Sequence, residues 1–325
     1  MKLLVVKPTA LGDVAQALQV VPYLRASGWC ERLDWVVDED YVPLVQKCPW
    51  VDHIIAYPRR RWRSLKYWRE WKSWGDQLSE RDYDVALDLQ GLARSGLITL
   101  ASGAVRRIGL ASSRECSGFF YHERVPDHAE HAVDRYALAC GYLCGADPLP
   151  GVYLHDSEER TEMAGRPRQV VLLHPYSQRS EKCWPWRFWN DLVELLPHES
   201  FVMVGRGPWF PCEASNVIDL RNKTDLNDLL EWISGARGMI STDSGPLHMA
   251  AALGIPCLGL YGATRPGRTR PRGQKSVFLN AQTLLPSDGS AVVSRDLAMG
   301  RMSSILPVHV SETWRKLITS ASCES

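Results

Sequence analysis

The chain has 325 residues and a formal net charge of +1, from 38 lysines and arginines against 37 aspartates and glutamates. That near-neutrality argues against a nucleic-acid binder, and 45% hydrophobic residues suffice for the two cores expected of a chain longer than about 250–300 residues. No stretch approaches the roughly 18–20 apolar residues of a membrane span. The nine scattered cysteines complete no zinc site, so a reducing, cytoplasmic location and no metal are expected.

The apolar run Leu3–Val6 reads as a buried parallel strand, and Lys7 and Pro8 end it too early for a signal peptide. The loop Lys7 to Gly12 leads to a helix from Asp13, with Val14, Ala17, Leu18, Val21 and Leu24 at helical spacing. Asp13 at a helix start is explained equally by capping and by service as a general base. Leu33 to Val37 is the next strand. Then Arg59 to Trp74 gathers Arg59, Arg60, Arg61, Arg63, Lys66, Arg69 and Lys72 with Trp62, Trp68, Trp71 and Trp74. Stacking on nucleic acid, contact with a membrane surface and a solvated amphipathic helix are the three readings open to it. Strands at Asp84 to Leu89 and Arg106 to Gly109 complete a first α/β unit.

Proline, glycine and charge concentrate between Pro148 and Pro167, where the domain boundary is placed. A second α/β series follows, with strands at Val170 to Leu173, Phe201 to Val204, Gly238 to Ser241 and Pro256 to Tyr261. Helices are expected at Trp186 to Leu196, Leu226 to Ile233 and Pro246 to Leu253, and a closing helix at Val308 to Ile318. Ligands of open α/β sheets bind outside the carboxyl ends of the strands, so the loops there are the places to look for a site.

One such loop is Thr242-Asp243-Ser244-Gly245-Pro246, which runs straight into a helix. Pro246 suits the first helical turn, Gly245 admits a close ligand, and the free amides with the dipole behind them favour phosphate. Thr242 and Ser244 offer hydroxyls and His248 lies one turn in. An ordinary helix cap reads the same way. In the loop after Leu173, Ser177 and Lys182 suit a diphosphate, or are simply a solvated loop.

Together these pieces resemble the bacterial lipopolysaccharide heptosyltransferases of glycosyltransferase family nine. The resemblance is carried by Lys7 to Asp13, by Leu87-Asp88-Leu89-Gln90-Gly91, by His174-Pro175 with Lys182-Cys183-Trp184-Pro185, by Thr242 to His248, and by Tyr261-Gly262-Ala263-Thr264, in the family's order. The stretch Arg59 to Trp74 is most similar to the first heptosyltransferase of the pathway. The resemblance implies an α/β glycosyltransferase type B fold: two facing Rossmann-like domains with a cleft between them. Residues 1–155 would bind acceptor, 165–305 would bind donor, and 306–325 would form a closing helix returning toward the first domain.

The resemblance also implies inverting transfer of a heptose from ADP-L-glycero-D-manno-heptose to a Kdo-lipid A type acceptor, with no cofactor and no catalytic metal. Asp13 would be the base. Ser177, Lys182, Asp219, Thr242, Asp243, Ser244, Gly245 and His248 would hold the donor, Asp219 as the nearest candidate for an acid on the ribose side. Lys7, Thr9, Gly12, Arg59, Arg60, Arg61, Arg63 and Gln90 would meet the acceptor. The enzyme would be cytoplasmic and peripheral to the inner membrane, its partners an ADP-sugar and an anionic glycolipid and no nucleic acid. Two departures from the pattern are a first phosphate loop one residue longer and Tyr176 in place of a small hydroxyl residue. The alternatives are another family-nine transferase, such as the second heptosyltransferase or one using a different sugar, and a non-catalytic nucleotide-sugar or polyanion binder of the same fold.

Overall fold

A computed structural model describes residues 1–146, 169–262, 264–273, 275–283 and 302–322. The chain divides into two units, Met1–Leu154 and His155–Ser325. The stretch expected to hold the boundary, Pro148 to Pro167, lies outside the described residues.

The first unit is a six-stranded parallel sheet in the order β3-β2-β1-β4-β5-β6. Its strands are β1 (Lys2–Val6), β2 (Arg32–Asp38), β3 (His53–Tyr57), β4 (Val85–Asp88), β5 (Arg106–Leu110) and β6 (Glu123–Val125). The central strands are buried on both faces, which is why they read as unbroken aliphatic runs. The helices are α1 (Leu11–Leu18), α2 (Val21–Ala26), α3 (Val42–Gln46), α4 (Trp68–Ser79), α5 (Ala93–Ala101) and α6 (Ala132–Cys144). Helices α4 and α5 pack together, as do α1, α2 and α6.

The second unit repeats the plan, in the order β12-β11-β10-β7-β8-β9, again all parallel. The strands are β7 (Val170–His174), β8 (Ser200–Met203), β9 (Val217–Asp219), β10 (Gly238–Thr242), β11 (Cys257–Tyr261) and β12 (Ser276–Asn280). The helices are α7 (Trp186–Leu195), α8 (Leu226–Ser234), α9 (Gly245–Ala252), α10 (Pro266–Thr269) and α11 (Pro307–Ser322). Both sheets change direction of growth at the centre, between β1 and β4 in one unit and between β7 and β10 in the other. Loops leaving a sheet at such a reversal part to either side and leave a crevice for ligand.

The closing helix α11 belongs to the second unit. It packs on α7. Trp314 is fully buried, and its indole N–H donates to Glu199 at 3.3 Å. Its ring lies over Gly238 so closely that a Cβ there would come within 2.5 Å of Cη2. The chain leading into α11 is fixed as well, by Trp184 Nε1 donating to the Ile305 carbonyl at 2.8 Å.

A phosphate-type loop in one unit and a carboxylate loop in the other

In the second unit the loops after β7 and β10 are fastened to each other. Thr242 Oγ1 donates to the Tyr176 carbonyl at 3.0 Å, and Ser177 Oγ donates to the Asp243 carbonyl at 2.9 Å. Ser241 Oγ donates to the Thr242 carbonyl at 2.8 Å and lies 2.9 Å from Ser244 Oγ. The hydroxyls of Thr242 and Ser177, expected to face a ligand, are therefore engaged in building the loop. Thr242 is also fully buried.

What the loop does present is Ser244 and Gly245, the two residues of 241–248 that are partly exposed. Ser244 is the N-cap of α9, with extended backbone and no side-chain cap bond, and Pro246 follows in the first turn. The start of α9 thus offers backbone N–H groups to a ligand, with the helix dipole behind them.

Beneath that start lies a charge cluster. Lys182 Nζ is 2.6 Å from Asp243 Oδ2, and His248 Nε2 is 4.0 Å from Asp243 Oδ1. Asp243 and His248 are buried while Lys182 keeps about a fifth of its side chain exposed. Asp243 therefore holds the ammonium and the imidazole on either side of one carboxylate. The three predicted residues are brought together, with Asp243 as the hub.

The loop after β8 closes over this base. Gly205, at φ +110°, lies against His174, where a Cβ would sit 2.7 Å from the imidazole. Gly207 lies as tightly against the ring of Tyr176, whose hydroxyl donates to the Pro208 carbonyl at 2.8 Å. Burial pushes the His174 imidazole down to about 4, so it is neutral at pH 7.

Asp219 is paired within the second unit. Its carboxylate is held bidentately by Arg221, with Nε and Nη2 both at 2.8 Å, and also accepts the Arg221 backbone N–H at 3.0 Å. The Arg221 hydrogen bonds, stronger than the opposing burial, hold the Asp219 carboxyl below its usual range. The carboxylate thereby fixes Arg221. That arginine is buried and lies 4.2 Å from the centre of the Phe210 ring. Sequence reading missed Arg221. The spacing Gly205-Arg206-Gly207 was the available sign that two loops approach closely here.

In the first unit the loops after β1 and β4 are joined, the Thr9 amide donating to Gln90 Oε1 at 3.2 Å. Gln90 is itself fixed by Asp88. One Asp88 oxygen accepts the amides of Gln90 and Gly91 at 2.7 and 3.0 Å, and the other accepts the Tyr121 hydroxyl at 2.7 Å. Asp88 is fully buried, and burial raises its pKa despite these bonds. Gly109 leaves the space in which the Tyr121 ring lies.

Helix α1 begins at Leu11, two residues before the expected start, because the chain turns directly after Ala10. Asp13 is therefore inside the first turn, and its carboxylate accepts the Ala10 amide at 3.3 Å from a partly exposed position. Thr9, Gly12 and Asp13 all retain exposure. Lys7 does not: it is 3% exposed, its ammonium 5.2 Å from the centre of the Tyr136 ring. Its side chain packs on α6.

The basic–aromatic stretch turns partly inward. Trp62, Trp74 and Tyr57 form an edge-to-face triad with centroids 5.3–5.7 Å apart, and Trp71 joins them against the core. Arg59 pairs with Asp38 at 3.6 Å, Arg60 with Asp40 at 2.8 Å and Arg61 with Glu70 at 2.6 Å. Arg63 has no ion-pair partner among the described residues. Among those residues, too, no group of His, Cys, Asp or Glu is arranged to hold a metal, and no helix is long and apolar enough to cross a membrane.

Comparison with known proteins gives the family of the chain. Residues 71–287 fit the model of glycosyltransferase family 9 (heptosyltransferase). Lipopolysaccharide heptosyltransferase 1 of Pseudomonas aeruginosa is 31% identical over 307 residues, covering 86% of this chain and 84% of that protein. The solved structure of E. coli heptosyltransferase WaaC with ADP superposes with a TM-score of 0.80 at 22% identity, over 98% of this chain and 100% of that one. The same enzyme with ADP-2-deoxy-2-fluoro heptose gives 0.78 at 22% identity, over 97% and 99%. The fold is that of the type B glycosyltransferases, and the chain belongs to glycosyltransferase family 9, the heptosyltransferases.

Proposed function

We propose that this glycosyltransferase moves a heptose from ADP-L-glycero-D-manno-heptose, with inversion, to a Kdo-lipid A type acceptor, working at the cytoplasmic surface of the inner membrane. The observation that carries the donor half is the exposed helix start Ser244–Gly245, set over the cluster Lys182–Asp243–His248. Helix-start amides and a lysine are what a diphosphate needs as a leaving group. The relatives whose structures hold ADP and an ADP-heptose analogue support the choice of nucleotide.

In this reading Asp13 accepts the proton of the acceptor hydroxyl as its oxygen attacks the anomeric carbon. The bond from that carbon to the diphosphate oxygen breaks, and ADP leaves with the electron pair. Lys182 and the amides of Ser244 and Gly245 stabilise the charge that develops on the diphosphate. Asp13 meets the requirement of partial exposure in the first turn of α1, which follows β1 at the β1–β4 reversal. Its bond to the Ala10 amide orients the carboxylate and leaves its second oxygen for the proton. The Thr9–Gln90 bond sets the floor on which an acceptor would rest, and Arg63, without an ion pair among the described residues, is available to anionic groups.

The test has two arms. Thermal-shift comparison of ADP, UDP, GDP and CMP should show stabilisation by ADP above the other three; equal response to all four removes the donor assignment. Asp13→Asn should keep ADP affinity and lower turnover by about 100-fold or more. Turnover within about threefold of wild type would remove Asp13 as the base.

A further inference from the structure

On the α4–α5 side of the first sheet, α5 carries a stripe that a water-facing helix does not ordinarily have. Arg94, Leu97 and Leu100 recur at three-residue spacing, and all three are exposed, the leucines at 41% and 45%. The opposite positions Ser95, Ile98 and Thr99 are buried, so the helix is fixed in this rotation.

Against α5 packs the 3-10 turn Ser117–Phe120. Phe120 lies over Gly96, where a Cβ would sit 2.5 Å from its ring. Gly96 lies one helical turn before Leu100 on the same face, so the turn is brought toward the Leu100 end of the stripe. Its other aromatic, Phe119, is 88% exposed. Exposing a phenylalanine so fully, on a turn packed against a helix with two half-exposed leucines, is costly in water and points to a surface that is covered in use.

The rim of this patch is basic. The Arg124 guanidinium lies against Gly118, next to Phe119. Arg94 stands at the head of the stripe and Arg114 in the loop leading to the turn, both exposed. None of the three forms an ion pair among the described residues. The nearby acids are engaged: Glu115 accepts the Ala93 amide at 3.2 Å, Glu123 pairs with Arg106 at 2.9 Å, and Asp76 of α4 pairs with Lys72 at 2.9 Å. At the start of α4, packed beside α5, Trp68 is 57% exposed with the Arg69 guanidinium 5.5 Å from its ring.

We infer that this α5 face, with Leu97, Leu100 and Phe119 as the inserted groups and Arg94 and Arg124 as the rim, is where the protein docks on an anionic lipid bilayer. Apolar groups at headgroup depth ringed by unpaired arginines fit acyl chains bordered by phosphates. A second copy of the chain fits less well, because a two-fold contact would set these arginines against their own images. The inference rests on the reading of a lipid-borne acceptor, since it supplies the surface that brings the enzyme to one.

The experiment is flotation of the full chain with vesicles of phosphatidylethanolamine and phosphatidylglycerol, and with vesicles of phosphatidylcholine alone. The variant Leu97→Gln/Leu100→Gln/Phe119→Ser should lower the partition coefficient about tenfold or more on the anionic vesicles. Arg94→Gln/Arg124→Gln should lower it about fivefold per arginine on those vesicles and leave the neutral ones unchanged. Trp209→Ser, which removes a 70% exposed aromatic from the second unit, should change neither. ADP affinity should be the same in all variants, which shows that they are folded. Unchanged flotation of the triple variant, or an equal loss with Trp209→Ser, overturns the inference. So does sedimentation showing a dimer that the triple variant splits, which would assign the face to a second copy. Flotation does not depend on turnover: if it falls as expected while no heptose is transferred, the docking face stands and the activity reading fails.

Discussion

His174 is a buried base that the fold keeps uncharged. Its imidazole titrates near 4, against an ordinary 6.5, because burial between β10 and Gly205 excludes water. The unfolded chain takes up this proton at about 6.5 and the folded chain only near 4, so stability falls as pH drops through that window and gains nothing above it. The loss is at most about 3 kcal/mol. His174→Asn should flatten the stability profile between about pH 6.5 and 4, read from urea midpoints at each pH; a slope equal to wild type would locate the titration elsewhere. Lys182 acts at the same scale. Lys182→Ala should weaken ADP binding about 10- to 100-fold by calorimetry, the cost of one charge-assisted contact, and unchanged affinity would leave Lys182 with Asp243 alone as partner.

At the scale of elements, what was legible in the sequence followed burial. The central strands β1, β4, β7, β10 and β11 are covered on both faces and stand out as aliphatic runs. The four strands that sequence reading omitted, β3, β6, β9 and β12, are the edges of the two sheets. Each is half-exposed and mixes polar with apolar residues, so it lacks the run that marks its neighbours. The candidate site divides the same way. Loops with glycine, proline and a charged residue at a strand end were visible. The partners of Asp219 and Thr242 were not, because Arg221 and the Tyr176 carbonyl are recruited by tertiary packing. Gly238 gives a test of packing. Gly238→Val would push branched carbons into the Trp314 ring and the Pro256 carbonyl, and should cost about 3 kcal/mol or more, visible as a lowered thermal midpoint. Stability equal to wild type would show that α11 shifts freely.

At the scale of the molecule, two sheets of one strand order carry different loops. One presents amides over an ion pair, the other a carboxylate within a helical turn. If donor binding belongs to the second unit, ADP should slow amide hydrogen exchange at Ser244 and Gly245 and in the loops after β7 and β8. It should leave the network that Arg32, His53, Arg81 and Tyr83 form around the buried Asp34 of the first unit as it was. Mass-spectrometric exchange reads both at once, and protection confined to the first unit would reverse the assignment. The contact between Lys182 and Asp243 has a further consequence. The lysine is already balanced by a carboxylate, so the seat for the diphosphate has little net charge to project into the solvent. Counter-ions then have little to screen, and ADP affinity should change by less than about threefold as ionic strength rises from about 0.05 to about 0.5 M. Asp243→Asn would remove that balance, giving tighter binding in dilute buffer that fades as salt is added.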